Sequence, residues 1–306
     1  MRAEIESASK RIAGYIRTTP TMRLETGAWG LDAHVVLKLE QLQHTGSFKP
    51  RGAFNRILSH CVPEVGVIAA SGGNHGVAVA YAARQLGYRA EIFVPEVCPP
   101  VKVQRLRDYG AKVHIVGATY AESLLASQTR AAETGALVVH AYDQSEVVAG
   151  QGTLGYEFAR QVSDLDTVLV AVGGGGLIGG MAAWFEGSVR VIGVEPASAA
   201  SMAAALKAGE PVDAPVGGIA ADSLGARRVG TVAFALVKNY VERVVTVQDE
   251  SIRAAQRVLW NDLRIVAEPG GATAASALIS GAYRPASGER VGVVICGGNT
   301  DPGQVV

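Results

Sequence analysis

Apolar residues in this chain come in short continuous runs rather than in alternation. Val168-Leu169-Val170-Ala171-Val172 and Val291-Gly292-Val293-Val294-Ile295 carry no polar side chain at any position, as strands covered on both faces require. Runs of this kind predict strands over 35–40, 67–70, 91–94, 112–116, 137–140, 167–172, 189–194 and 291–295. Between several of them lie stretches of helical length that stop at a glycine: the Ala-rich 77–86 before Gly87 and 120–134 before Gly135, and 101–109 before Gly110. Glycine just past a helix takes the left-handed cap conformation at little cost. Pro99-Pro100 suits the first turn of the second of these helices. Strand and helix alternate from end to end, which predicts an α/β protein with largely parallel sheets.

Bulk properties narrow the classes. A chain of 306 residues that is 48% hydrophobic and 18% charged is globular and can form one large domain or two modest ones. No linker, repeat or low-complexity tract divides it, so periodicity draws no boundary. The 28 Lys+Arg balance 28 Asp+Glu, which gives no electrostatic footing for nucleic acid or an anionic membrane. No apolar stretch is long enough to cross a bilayer, and Met1-Arg2-Ala3-Glu4-Ile5-Glu6 lacks the apolar core of a secretory signal. Cys61, Cys98 and Cys296 are odd in number and widely spaced, neither a disulfide framework nor a CxxC metal pair. A cytoplasmic location is expected.

Four segments carry the candidate chemistry. Lys49 lies in Ser47-Phe48-Lys49-Pro50-Arg51-Gly52. Ser71-Gly72-Gly73-Asn74-His75-Gly76 joins the 67–70 strand to a helix, a turn of small residues that aims free backbone N–H groups at one point and suits an anion. Gly173-Gly174-Gly175-Gly176, followed by Leu177, comes straight after the 167–172 strand, where glycines let amides close around a phosphate. Cys296-Gly297-Gly298-Asn299 ends the last strand. Singly, these read as a loop lysine, helix caps at Ser71 and Asn74, a turn, and a small buried thiol. Together they supply an amine, a polar turn, a phosphate cradle and a small polar residue, the set that pyridoxal 5'-phosphate asks for. The glycine run is not a P-loop, because no Gly-Lys-Ser/Thr follows. A dinucleotide site is the rival, since Glu195 lies about 20 residues on, but that reading leaves Lys49 and Asn74 unexplained.

The order and spacing of these segments closely resemble the fold type II pyridoxal-phosphate family that contains threonine/serine dehydratases and serine racemase, from about residue 5 to about residue 301. The resemblance implies a tryptophan synthase β-like α/β architecture: two parallel-sheet domains, a small one of residues 50–145 inserted in a large one of residues 1–49 and 146–306, with the cofactor in the cleft. It implies that Lys49 carries the cofactor and acts as base at the substrate Cα, with Phe48 beside the cofactor ring. Asn74 then bonds the ring hydroxyl, Gly173, Gly174, Gly175, Gly176 and Leu177 hold the phosphate, and Cys296 faces the pyridine nitrogen. A neutral thiol there would not keep that nitrogen protonated, which favours β-elimination. The substrate carboxylate is expected at Ser71, Gly73, Asn74 and His75. Glu268 matches an acidic position near the cofactor, and also stands where a carboxylate suits a helix start. Arg51 is expected to be structural, and His44 an ordinary loop residue.

The activity implied is dehydration of L-threonine and/or L-serine, or a related β-hydroxy amino acid, to a 2-oxo acid and ammonia, by a homodimer. On the same scaffold the alternatives are a serine racemase, or elimination from a larger amino acid of the hydroxyectoine-derived or phenylserine type. A non-catalytic binding protein is the alternative of another class, and an intact Lys49 argues against it. Racemase relatives place a serine two residues before the loop asparagine; here that residue is Gly72, so negligible racemisation is expected. Relatives with a divalent cation use two carboxylates and a carbonyl in one segment. Glu195 and Ala199 match two of these, but Ser201 replaces the second carboxylate, so no metal is expected. No C-terminal regulatory module is expected after residue 306.

Overall fold

The structure is a computed structural model and describes residues 1–305. Among them, ten strands form two sheets: β1 (Thr21–Arg23), β2 (Ala33–Leu39), β3 (Val67–Ala70), β4 (Ala90–Val94), β5 (Lys112–Ile115), β6 (Leu137–Val138), β7 (Thr167–Ala171), β8 (Arg190–Pro196), β9 (Val241–Val247) and β10 (Glu289–Ile295). The larger sheet runs β1-β2-β10-β7-β8-β9 and the smaller β5-β4-β3-β6. Every neighbouring pair is parallel except β1 with β2. The smaller sheet takes the strands between residues 67 and 138, and the larger takes those on either side. No helix among the described residues is long and apolar enough to cross a membrane.

Helices cover the sheets, so β7, β3 and most of β10 are buried at every position, the burial that their unbroken apolar runs foretell. Two strands escape that signal. β9, Val-Glu-Arg-Val-Val-Thr-Val, is an edge strand whose charged side chains stay in water, and β1 has three residues only. β6 is two residues long rather than four, because the chain turns at once into a loop in which His140 Nδ1 accepts the N–H groups of Tyr142 and Asp143. The expected helices are present as Asn74–Gln85, Pro100–Asp108 and Tyr120–Thr134. Gly135 caps the last at φ 73°.

Register decides where the loops emerge. β10 lies between β2 and β7, with Ile295 opposite Leu39. The chain leaving β10 therefore runs beside the chain leaving β2: Phe48 N–H donates to the Cys296 carbonyl at 3.1 Å, and Ser47 bridges Gly297. The 173–176 loop leaves β7 at the same edge, and the 71–76 turn leaves β3. Gathering of strand carboxyl ends is where α/β sheets collect ligands.

The helix Pro50–Leu58, which follows Lys49, is held against the helix Ser145–Gln161 at backbone contact. A Cβ on Gly150 would lie 2.7 Å from Gly52 Cα. Beneath that crossing sits a buried ion network. Arg51 donates to both carboxylate oxygens of Glu40 at 2.8 and 2.7 Å and to Glu157 at 2.9 Å. Lys38 donates to Glu157, Gln161 and the Thr19 carbonyl. Burial pushes the Glu40 carboxyl up, but Arg51, Lys38 and the Thr19 hydroxyl together outweigh it and hold the group below its ordinary range. Arg51 is thus a structural anchor two residues from Lys49. His44 stacks on Tyr81 at 5.1 Å.

Candidate active site

Lys49 stands at the N-cap of the helix Pro50–Leu58. Its Nζ donates to the Ala141 carbonyl at 3.0 Å and lies 5.1 Å from the Phe48 ring centroid. The residue as a whole is half-buried, but its amine end is enclosed. Burial lowers its pKa from 10.5 to about 8, against the opposing pull of Cys296 and Glu268. A lysine so placed holds a useful fraction of neutral, nucleophilic amine at neutral pH.

At the 71–76 turn the Ser71 hydroxyl accepts the Gly73 N–H at 3.2 Å. The N–H groups of Asn74, His75 and Gly76, at the start of the helix Asn74–Gln85, find no acceptor among the described residues. The His75 ring turns inward and its Nε2 donates to the Val139 carbonyl at 2.9 Å. Burial, then the charge of Lys49, lowers its pKa to about 3, so the ring is neutral and His75 can offer an anion only its backbone N–H. The Asn74 amide is held at both ends: Nδ2 donates to Glu268 Oε1 at 2.6 Å, and Oδ1 accepts from Asn299 Nδ2 at 2.6 Å.

The glycine loop is shaped by its neighbours. Gly175, at φ 91°, is in the left-handed region that glycine enters freely, and caps the helix Gly176–Phe185. A Cβ on Gly173 would lie 2.9 Å from Leu224 Cα, and one on Gly174 would collide with the Tyr142 ring. The N–H groups of Gly174, Gly175, Gly176 and Leu177 have no acceptor among the described residues. Unpaired amides at a helix start are a ready anion site. Tyr142 follows Ala141, so one dipeptide touches both the lysine amine and this amide cluster. Sequence reasoning missed Ala141 and Tyr142, which belong to no motif and act through a carbonyl and a packed ring.

Cys296 is buried, and its thiol donates to the Gly270 carbonyl at 3.5 Å. Burial holds its pKa well above the ordinary thiol range, so it is neutral at working pH. Glu268 departs from one expectation. It occupies the N-cap position of the helix Pro269–Ile279 but makes no cap bond, turning instead to Asn74. Burial raises its pKa to about 7, opposed by the Asn74 bond. Glu195 also acts unlike a free ligand: its carboxylate accepts the N–H groups of Met202 and Ala203 at 2.7 and 2.9 Å, capping the helix Ser201–Ala208. Ala199 is buried beside it, and the Ser201 hydroxyl has no partner among the described residues. Cys98, not singled out in the sequence, has its Sγ 2.6 Å from where a Gly72 Cβ would lie.

Pyridoxal 5'-phosphate presents an aldehyde, a phosphate, a ring hydroxyl and a ring nitrogen. An enclosed amine of lowered pKa, four unpaired amides in a loop whose glycines are packed too closely against Leu224, Tyr142 and Ala233 to carry a Cβ, an amide nitrogen and a neutral thiol suit that set of groups. The sequence profile of the family described as "Pyridoxal-phosphate dependent enzyme" matches residues 12–297.

The chain belongs to this family. Its cofactor is pyridoxal 5'-phosphate. The dinucleotide reading of the glycine loop falls with that finding. Among curated relatives, the L-threonine ammonia-lyase of Geobacter sulfurreducens is 37% identical over 302 residues, covering 97% of this chain and 75% of the relative. The catabolic L-threonine dehydratase of Staphylococcus aureus is 37% identical over 306 residues, covering 97% and 88%. Among solved structures, maize serine racemase superposes with a TM-score of 0.94 at 32% identity, over 99% of this chain and 95% of that one. The processed form of threonine deaminase isoform 2 from Solanum lycopersicum superposes at 0.91 and 30%, over 100% of this chain and 92% of that one. The fold is therefore the type II pyridoxal-phosphate fold.

Proposed function

We propose that this protein is an ammonia-lyase that dehydrates L-threonine and/or L-serine to a 2-oxo acid and ammonia. The observation that carries the reading is the enclosed Lys49 amine, joined through Ala141-Tyr142 to an unpaired amide cluster, in a chain 37% identical to proteins named for that reaction. When bound, the cofactor supplies an electron sink for the pair left at the substrate Cα. Lys49 would hold its aldehyde, and its amine, neutral in a useful fraction, would serve as the base for the Cα proton. The N–H groups of Gly174 to Leu177 hold the phosphate, with Gly173 setting the entry to the loop. Asn74 Nδ2 would donate its second hydrogen to the ring hydroxyl, and Phe48 would stand beside the ring. Cys296 would offer the ring nitrogen a neutral thiol, which unlike a carboxylate would not keep it protonated, a setting that would suit β-elimination. The substrate carboxylate is received by the N–H groups of Asn74, His75 and Gly76 with the Ser71 hydroxyl and Gly73. Glu268 orients Asn74.

The same reading treats residues 50–145 as a small domain closing on residues 1–49 and 146–306, works as a homodimer and locates the protein in the cytoplasm. Light scattering measures the assembly. A panel of L-threonine, L-serine and L-phenylserine, scored for 2-oxo acid and ammonia, tests the activity. Borohydride reduction followed by mass spectrometry is expected to place the cofactor on Lys49; an adduct on Lys38 or Lys102 would sink the assignment. Likeness to maize serine racemase keeps racemisation as the second reading. Proton return from the face opposite Lys49 needs a second acid/base, and the turn has no side chain at Gly72. L-serine is therefore expected to give pyruvate with little D-serine, and D-serine as the main product would reverse the order of the two readings.

A further inference from the structure

We propose that Arg105 is a positioning residue that fixes, through Asn299, which way round the Asn74 amide faces the site. Arg105 lies on the helix Pro100–Asp108, beside the smaller sheet, and reaches across to the loops leaving β2 and β10. Its Nη2 donates to Asn299 Oδ1 at 2.8 Å and to the Thr45 carbonyl at 3.1 Å. Asn299 Nδ2 donates in turn to Asn74 Oδ1 at 2.6 Å and to the same Thr45 carbonyl at 2.8 Å. Asn74 Nδ2 then donates to Glu268 Oε1 at 2.6 Å. The four groups form one chain of hydrogen bonds, all pointing the same way.

A carboxamide presents either its oxygen or its nitrogen to a neighbour, so two amides in series can reverse together unless an end is fixed. A guanidinium has donors and no acceptor. Arg105 therefore obliges Asn299 to offer it oxygen, and the Thr45 carbonyl, which can only accept and which Arg105 itself holds, takes one hydrogen of the Asn299 nitrogen; the other is left for Asn74, and the Asn74 nitrogen for the cleft. The far end is less constraining, because burial holds the Glu268 carboxyl near 7, and a carboxylic acid can donate as well as accept. Arg105 is the end that has donors only, and it also holds the Thr45 carbonyl against which the Asn299 nitrogen is set. The loop it grips is itself unusual: Thr45 and Gly46 are successive left-handed residues, at φ 63° and 76°. Thr45 is in a region that L side chains rarely adopt, and its carbonyl is pinned by both donors. A side chain on Gly46 would collide with Asn299 Oδ1, so the asparagine is closely fitted against this turn.

The consequence rests on the proposed contact between Asn74 and the ring hydroxyl of the cofactor. With its oxygen committed to Asn299, Asn74 can only donate to that hydroxyl, which favours the ionised phenolate over the neutral form. The ionisable groups around Asn74 are Glu268 and, beyond it, Asp222 and Lys102, with Lys49 and Cys296 on the other side of Glu268 and His75 next in the turn; none of them is removed by changes at Arg105.

The test uses the holoenzyme and two readouts besides turnover: the cofactor dissociation constant, and the pH midpoint of the visible cofactor band. R105K keeps a donor-only end and is expected to stay within about twofold of wild type. R105Q can reverse, and is expected to weaken cofactor binding about tenfold, the order of one lost hydrogen bond to a charged partner, with a raised band midpoint. N299D strengthens the bridge to Arg105 yet removes the donor to Asn74, so it should behave like R105Q, whereas a purely mechanical bridge would leave it like wild type. Wild-type values in R105Q or N299D, or equal losses in R105K and R105Q, overturn the proposal. N74A separates it from the reading beneath: an effect in N74A with none in R105Q removes the relay alone, and no effect in N74A removes both.

Discussion

Replacing Lys49 by the uncharged, nearly isosteric methionine should make the cofactor-free protein more stable at neutral pH. Burial takes the lysine pKa from 10.5 to about 8, and that difference corresponds to at most ~3 kcal/mol of penalty for carrying the ammonium at pH 7. Water at the cleft mouth reduces it, and methionine forfeits the bond to the Ala141 carbonyl, worth about 1 kcal/mol. A net gain of about 1–2 kcal/mol remains. The sign follows from proton linkage. Between about pH 8 and pH 10.5 the unfolded chain binds more protons at Lys49 than the folded chain does, so wild-type stability rises with pH across that window; below pH 8 the penalty is fully present. The lead of Lys49→Met should therefore hold from pH 6 to 8, shrink above it, and reverse near pH 10. Urea denaturation of both apo-proteins at several pH values, read as the difference between them, cancels the other titrating groups. A gap that does not change with pH, or a variant less stable at pH 7, would refute the enclosed-ammonium argument. The expected result is the cost of enclosing an ammonium, which the fold by itself would rather lose.

Gly174→Ala should weaken cofactor binding tenfold or more, because its Cβ falls on the Tyr142 ring; unchanged affinity in equilibrium dialysis would mean that the phosphate binds elsewhere. Gly175→Asp should expel the cofactor too, and adds backbone strain at φ 91° to contacts of 2.8 Å with Ala233 and 2.9 Å with Met202; circular dichroism of both variants separates lost binding from lost fold. Glu40→Leu, which strips Arg51 of its bidentate partner, should cost about 3 kcal/mol in thermal or urea unfolding, with part recovered by adding Arg51→Met. Chelators should leave activity unchanged, because the Glu195 carboxylate already caps a helix; a saturable loss restored by magnesium or calcium would contradict this. Gly72→Ser combined with Cys98→Ala, which clears the thiol 2.6 Å from the new Cβ, is expected to introduce D-serine formation, measured by chiral chromatography.

Much of the fold was legible because each signal was local. The unbroken run ending at Val172 reports a strand buried on both faces, wherever that strand sits in the sheet. Gly135 marks the end of a helix because only the left-handed region lets the chain turn there. The motifs around Lys49, Asn74, Gly174 and Cys296 were visible for the same reason, as unusual residues at the ends of such strands. Strand order was not visible, and it decides contacts. Placing β10 between β2 and β7 brings Asn299 against Thr45, and the approach of the two sheets brings Asn74 to Glu268, 194 residues away in the chain. Glu268 looked like a helix cap because its local sequence is that of one; its partner lies in another segment. Tyr142, Cys98 and Arg105 carry no motif at all, and acquire a role only from what the fold sets opposite them. Periodicity and capping report how one segment meets solvent and its own backbone, whereas the pairing of side chains across the cleft depends on long-range packing that no single segment encodes.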